Sequence, residues 1–163
     1  MNILFTLCGR AGSKGVKGKN ARDFLDIPLA WYSLANIKMY IDRYTTANDN
    51  VKIVLNTDSE PLIELIQKVK AVPVTILRRD ESLAGDRVPK VAVILDCLTR
   101  SEKEFGMEFD VVVDLDITSP LRTVEDVNKQ EFEIFCLNPA IYRRGIVKQQ
   151  CHYIDPEFKM QMS

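Results

Sequence analysis

ILFTLCGRAGSKGVKGKN, residues 3 to 20, decides how the rest of this chain is read. Its first part, Ile3 to Leu7, is a short apolar run leading to a glycine, the pattern of a strand covered on both faces. The remainder, Gly9 to Asn20, packs four glycines, three lysines and an arginine into twelve residues. Flexibility and positive charge together suit a polyphosphate. Glycines allow close backbone approach, so that amides can point at an anion, and Arg10, Lys14, Lys17 and Lys19 supply the charge. A solvated basic turn is the plainer alternative. The two common phosphate-loop patterns are absent. A Walker A loop needs glycine five residues before Gly18-Lys19, where this chain has Ser13, and Ser or Thr after the lysine, where it has Asn20. The spacing of G-x-G-x-x-G is not met either.

Outward from this loop the chain alternates strand and helix. Pro28 opens a helical stretch with Trp31, Leu34, Ile37 and Ile41 at three- and four-residue spacing. Val51 to Leu55 reads as the next strand, ending in Asn56-Thr57-Asp58-Ser59. Ser59 suits a helix N-cap, and Leu62, Leu65, Ile66 and Val69 form an apolar face behind it. Val72 to Leu77 reads as a third strand. A helix follows with Val88, Val91, Ala92, Leu95 and Leu98 on one stripe, and then a fourth strand, Val111 to Leu115. Beyond Val127, Glu131–Leu137 and Ala140–Tyr142 are weaker strand candidates, and 148–163 shows no usable periodicity. Such alternation predicts an α/β domain with a mainly parallel sheet. In these sheets ligands gather at the carboxyl ends of the strands. Four polar, charged loops fall there: 9–20, Asn56–Ser59, Arg78–Asp86 and Asp114–Arg122.

Composition narrows the function. The 163 residues, 46% hydrophobic and 28% charged, are expected to form one soluble domain over 1–163. A formal charge of −1 gives no reason to expect nucleic acid as a partner. The apolar run Met1–Cys8 lacks a basic flank and is too short for a membrane span or signal core, so no membrane partner is expected. Cys8, Cys97, Cys136 and Cys151 are scattered with no C-x-x-C pair, which fits reduced thiols in the cytoplasm. His152 is the sole histidine, and nothing near it suggests a catalytic triad.

Four blocks then carry a resemblance. Arg10 to Asn20 reads R-x-G-S-K-G-V-x-G-K-N; Asn56-Thr57-Asp58-Ser59 stands for S-T-D-S; Arg79 to Asp86 follows R-P-x-E-L-A-x-D; Thr118 to Asp126 follows T-S-P-L-R-T-x-E-D. Together, over about residues 1 to 127, they resemble the acylneuraminate cytidylyltransferases, the CMP-sialic acid synthetase family. The resemblance implies a three-layer Rossmann-like nucleotidyltransferase fold. It also implies transfer of a cytidylyl group from CTP to a sialic-acid-like nonulosonic acid, with Mg²⁺ as cofactor and a homodimer as the assembly. Carried onto this sequence, Arg10 and Lys19 would be the catalytic charges on the triphosphate. Gly12, Ser13 and Asn20 would add phosphate and nucleotide contacts, and Arg79 and Asp86 would sit near cytosine and ribose. Thr118, Ser119 and Arg122 would meet the sugar acid. A surface arginine paired with Asp80 or Glu81 is the other possibility for Arg79.

The informative departure is Asp116. Where the family reads L-Q-P-T-S-P-L-R, this chain reads L-D-I-T-S-P-L-R, placing a carboxylate where an acidic substrate would be repelled unless a cation intervenes. Asp116 is therefore expected either to ligate Mg²⁺ or to mark a differently substituted substrate. Strand alternation places Asp114 and Asp116 on one face; a purely local role for Asp114 in orienting a loop is the alternative. Asn138-Pro139-Ala140-Ile141-Tyr142 resembles the family's N-G-A-I-Y block but arrives too soon after Asp126. No late D-x-D follows, only Asp155 and Glu157. The family's dimerisation segment after about residue 128 thus looks to be missing. Two other functions stay open: cytidylyl transfer to an eight-carbon keto-deoxy sugar acid, and a non-catalytic nucleotide-binding module.

Overall fold

The computed structural model describes residues 1–12, 15–129 and 146–149. Strand β1 (Asn2–Cys8) lies at the middle of a five-stranded sheet. On one side it pairs with β4 (Asn50–Thr57), which pairs with β5 (Thr75–Arg78). On the other it pairs with β6 (Val111–Leu115), and β7 (Ile146–Gln149) completes that edge. All four pairings are parallel. A separate antiparallel hairpin, β2 (Asp23–Phe24) and β3 (Ile27–Pro28), turns through Leu25 and Asp26, both at positive φ.

Period-two alternation sorts the β1 side chains between two cores. Ile3, Phe5 and Leu7 join a cluster with residues of α1 (Leu29–Tyr44), α2 (Glu60–Gln67) and α4 (Val124–Lys129). Leu4 faces the opposite layer, where Ile94, Cys97 and Leu98 of α3 (Lys90–Phe105) pack with Val54 and Val112. Phe5 and Tyr40 meet edge-on with ring centroids 5.3 Å apart. Each fully buried Leu, Ile or Phe in these layers stabilises the fold by about 1.5–3 kcal/mol. The expected α/β architecture with a mainly parallel sheet is the one observed.

Several local expectations need correction. The buried stripe of α3 is Val93, Ile94, Cys97, Leu98 and Ser101, and Leu95 is exposed. The helix starts only at Lys90, which leaves Val88 outside it, and the true stripe includes Cys97 and Ser101, which an apolar count passes over. The third strand begins at Thr75 instead of Val72; Pro73 cannot donate to a ladder, although Val72 is still buried in the core. Near the end of the chain, β7 pairs with β6 where no usable pattern was found. The candidates Glu131–Leu137 and Ala140–Tyr142 lie outside the described residues. Ser59 stands at the N-cap of α2 as expected, but its side chain makes no capping bond there.

Connectivity fixes where a ligand can sit. From β1 the chain builds outward through β4 to β5, then α3 returns it past β1 to β6. The winding direction reverses between β1 and β6, and the carboxyl ends of two such strands frame a crevice. The residue leaving β1 is under tight constraint. A Cβ on Gly9 would stand 2.7 Å from Leu62 Cδ2 and 2.9 Å from Ile117 Cδ1, and both of those side chains are fully buried. Gly9→Ala should therefore destabilise the domain by about 1–3 kcal/mol through overpacking. Chemical denaturation reads this as a lower midpoint at unchanged slope, and an unshifted midpoint would show that the packing yields.

Cys8, the last residue of β1, places its Sγ 4.0 Å from that of Cys97 on α3. This contact, then burial and the nearby Asp114 carboxylate, push the Cys8 thiol well above its ordinary value. A raised thiol pKa means less thiolate at a given pH. Alkylation of Cys8 by iodoacetamide at pH 8 should run slower than that of free cysteine. Peptide mass mapping checks this, and labelling at the free-thiol rate would contradict it.

Candidate active site

The opening loop is pinned at both ends before it presents any charge. Gly9 N donates to Asn56 O (3.2 Å), extending the ladder one residue beyond the strand. Ala11 N donates to Asp58 Oδ1 (2.7 Å), and the buried Asn20 donates from Nδ2 to Arg10 O (3.1 Å). Arg22 Nε donates to Lys17 O (3.1 Å). Gly18, at φ 64°, takes the left-handed turn into a short 3₁₀ segment, Lys19–Ala21, a conformation glycine adopts without the steric cost of a Cβ. The result is a braced loop carrying Arg10 and Lys19.

A cleft of about 550 Å³ opens beside it. Arg10, Gly15, Val16, Lys19 and Asn20 line it from the β1 loop. Arg79, Leu83, Gly85, Asp86 and Val88 line it from the β5–α3 loop, and Asp116, Ile117 and Thr118 from the end of β6. Cys8, Lys90 and Val93 complete the lining. Three of the four loops expected on one rim thus face a common space. The fourth, Asn56–Ser59, works from behind: Asn56 and Asp58 hold the other loops in place.

Arg79 does not pair with Asp80 or Glu81. Its Nε donates to Asn56 Oδ1 (2.6 Å) and its Nη2 to Asn56 O (3.1 Å). Asn56 Nδ2 in turn donates to Asp96 Oδ2 (3.1 Å). Asp80 caps its own turn, accepting from Ser82 N (2.9 Å) and Ser82 Oγ (2.6 Å). Arg10 forms an ion pair with Asp86 across the cleft, between the first and third loops. Both side chains are about a third exposed, so solvent weakens the pair. Lys19 has no ion-pair partner among the described residues.

Across the cleft the chemistry is acidic. Asp114 is fully buried; its Oδ1 accepts from Thr6 Oγ1 (2.8 Å) on the adjacent strand. Its Oδ2 lies 2.6 Å from Lys90 Nζ, and the same ammonium pairs with Asp116 Oδ1. The two aspartates do share a side of the sheet, and Asp114 is tied to strand and helix rather than orienting only its own loop. Burial alone would disfavour a charge on Lys90, but the fields and hydrogen bonds of the two carboxylates outweigh it and raise the Lys90 pKa. The sequence reading missed Lys90. A signal was present: a lysine in the first turn of a helix opposes the helix dipole, which calls for a nearby anion.

Of the residues singled out from sequence, Arg10, Lys19, Asn20, Arg79, Asp86, Asp116 and Thr118 line the cleft. Gly12 and Ser119 do not, and Ser13 lies outside the described residues. Arg122 is buried away from the lining, with Nη2 3.5 Å from Asp116 O, a marginal hydrogen bond. Its carbonyl accepts from Asn36 Nδ2 (3.0 Å). Among the described residues no three His, Cys, Asp or Glu side chains converge as a metal site. Asp116 can still lend a single oxygen to a hard cation that takes its other ligands from phosphate and water, the usual arrangement for Mg²⁺.

No family model matches the chain. Over 138 residues it is 38% identical to the post-translational flagellin modification protein B of Campylobacter coli, covering 83% of this chain and 54% of that protein. It is 37% identical over 121 residues to the CMP-N,N'-diacetyllegionaminic acid synthase of Campylobacter jejuni, covering 72% and 46% respectively. With the pseudaminic acid cytidylyltransferase of the same species it shares 31% over 142 residues, 86% of this chain and 56% of that one. The chain spans about half the length of the curated relatives it matches. Among solved structures, CMP:2-keto-3-deoxy-manno-octonic acid synthetase complexed with CTP matches with a TM-score of 0.54 at 16% identity, over 80% of this chain and 46% of that one. That likeness establishes the Rossmann-like nucleotidyltransferase fold. Over the stretch shared with these relatives, the chain belongs to the acylneuraminate cytidylyltransferase family, the synthases of CMP-nonulosonic acids.

Proposed function

We propose that this cleft binds CTP and catalyses cytidylyl transfer to a nonulosonic acid. The anomeric hydroxyl oxygen bonds to the α-phosphorus, the bond from that phosphorus to the bridging oxygen breaks, and pyrophosphate leaves as the hydroxyl proton is released. The observation that carries this proposal is the convergence of Arg10 and Lys19, on one braced loop, with Asp116 and Thr118 across a single cleft at the β1–β6 switch point. The names borne by two of the relatives, a legionaminic acid synthase and a pseudaminic acid cytidylyltransferase, point to the acceptor class.

In such a reaction the protein positions the reactants and stabilises charge. Lys19, unpaired among the described residues, meets the triphosphate, and Arg10 exchanges Asp86 for phosphate oxygens. The family resemblance adds Gly12 and Ser13 to the phosphate side, and Asn20 holds the loop while touching the nucleotide. Arg79, oriented by Asn56, and Asp86 face the cytosine and ribose. Asp116 and Thr118 belong to the acceptor side, to which the family resemblance alone adds Ser119 and Arg122, and Asp116 would also give an oxygen to Mg²⁺. When bound, that ion neutralises charge on the departing pyrophosphate.

Incubation of the protein with CTP, Mg²⁺ and, in turn, N,N'-diacetyllegionaminic, pseudaminic and sialic acids should release pyrophosphate with at least one acceptor. Lys19→Ala should lower that rate by about 10²-fold or more at an unchanged melting temperature. CTP binding without pyrophosphate from any acid would instead indicate a binding module, and full activity in Lys19→Ala would remove the loop from the mechanism. We further infer a cytoplasmic homodimer, on the family resemblance and the scattered thiols. Light scattering on the eluting protein should give twice the chain mass, and a monomer mass would refute the dimer. No helix among the described residues is long and apolar enough to cross a membrane.

A further inference from the structure

Asp116 raised a question in the sequence: how an acidic side chain can face an acidic ligand. The structure offers a cation from an element the motifs did not cover. Lys90 is the first residue of the 16-residue helix α3, an end at which the helix dipole disfavours positive charge, so its partners must justify its place. Those partners are Asp114 and Asp116 together. Asp114 cannot follow a moving lysine, since it is fully buried and held by Thr6 from β1. Asp116, by contrast, lines the cleft with a side chain 30% exposed. One ammonium thus ties a partly exposed carboxylate to a buried one.

We propose that Lys90 is a positioning residue of the cleft: it holds Asp116 against the buried Asp114 and cancels enough of their charge for the β6 rim to face an anionic ligand. Lys90 offsets one of the two carboxylate charges that face it. Two negative charges opposite Arg10 and Lys19 would oppose the entry of a triphosphate. They would also form a two-carboxylate trap for a divalent cation in the absence of nucleotide. Lys90 prevents both, so that a metal ion enters with the triphosphate rather than ahead of it. A lysine serving only to neutralise Asp114 would have no need to reach the second carboxylate on the cleft wall.

This inference rests on the cleft being a nucleoside triphosphate site, and two titrations separate its failure from that one. In the first, calorimetry with CTP in EDTA compares the wild type, Lys90→Met, and Lys90→Met combined with Asp116→Asn. Lys90→Met should weaken CTP binding by about tenfold or more, and adding Asp116→Asn should restore it to within about threefold. Unchanged binding in Lys90→Met, or no restoration by Asp116→Asn, overturns the inference. In the second, Mn²⁺ alone is titrated and free Mn²⁺ followed by electron paramagnetic resonance. Lys90→Met should gain about tenfold or more in affinity, and no gain overturns the inference. If the wild type binds no CTP, the triphosphate site itself is refuted and the Mn²⁺ titration still decides the role of Lys90. Should Lys90→Met fail to fold, Lys90→Met with Asp114→Asn, compared against Asp114→Asn alone, removes the unpaired buried charge and carries the CTP titration, where about tenfold weaker binding is again expected and unchanged binding overturns the inference.

Discussion

A charged carboxylate buried in a parallel sheet is the constraint on which much of this molecule depends. Asp114 sits among Val112, Val113 and Leu115 with no solvent access, and desolvating such a charge is costly unless it is paired and hydrogen-bonded. Thr6 and Lys90 meet that need from two different elements. The register that places Thr6 opposite Asp114, the start of α3 at Lys90, and the approach of that helix to the rim are therefore coupled. Removing one partner of a buried pair of this kind typically costs about 3–5 kcal/mol, on the scale of a domain's whole stability. Lys90 also lines the cleft and pairs there with Asp116, so stability and site share a part.

The opposite wall is built on another logic. There the charged groups are partly exposed, and polar braces fix the loop: Asn56 from β4, Asp58 just after it, and Asn20 from the loop itself. Asn56 is the busiest of these. It receives Gly9 through its carbonyl and Arg79 through both oxygens, and it donates to Asp96. One buried residue thereby ties the loop after β1 to the loop carrying Arg79. The ion pair of Arg10 with Asp86 spans the cleft above this braced backbone.

What sequence could disclose followed from how local each signal is. β1, β4 and β6 were legible because apolar runs bounded by polar residues have few other uses, and with them came the rim on which the loops gather. The α3 stripe was misplaced because Cys97 and Ser101 are small and weakly polar, so their burial depends on the neighbouring helix surface rather than on their own chemistry. β5 was drawn too early because Val72 reads as strand although Pro73 stops the ladder. At the site, glycine and basic residues marked Arg10 and Lys19. The partners of Arg79, Asp86 and Asp116 were hidden, because each is reached only through tertiary contact. Lys90 looked like any lysine at a helix start, and only the fold shows which anions it meets.

The position of β1 carries a consequence for how this chain can vary. Its side chains alternate between two cores, Ile3, Phe5 and Leu7 to one and Leu4 to the other, and both neighbours are registered against it residue for residue. Losing or gaining a single residue there would exchange the two faces at a stroke. Thr6 would turn from Asp114 toward the opposite core, and the loop would leave the sheet one step out of phase. The strand thus acts as a gauge block of fixed length. Descendants of this sequence can exchange one apolar letter of the strand for another, but not alter the count of residues that leads up to the loop.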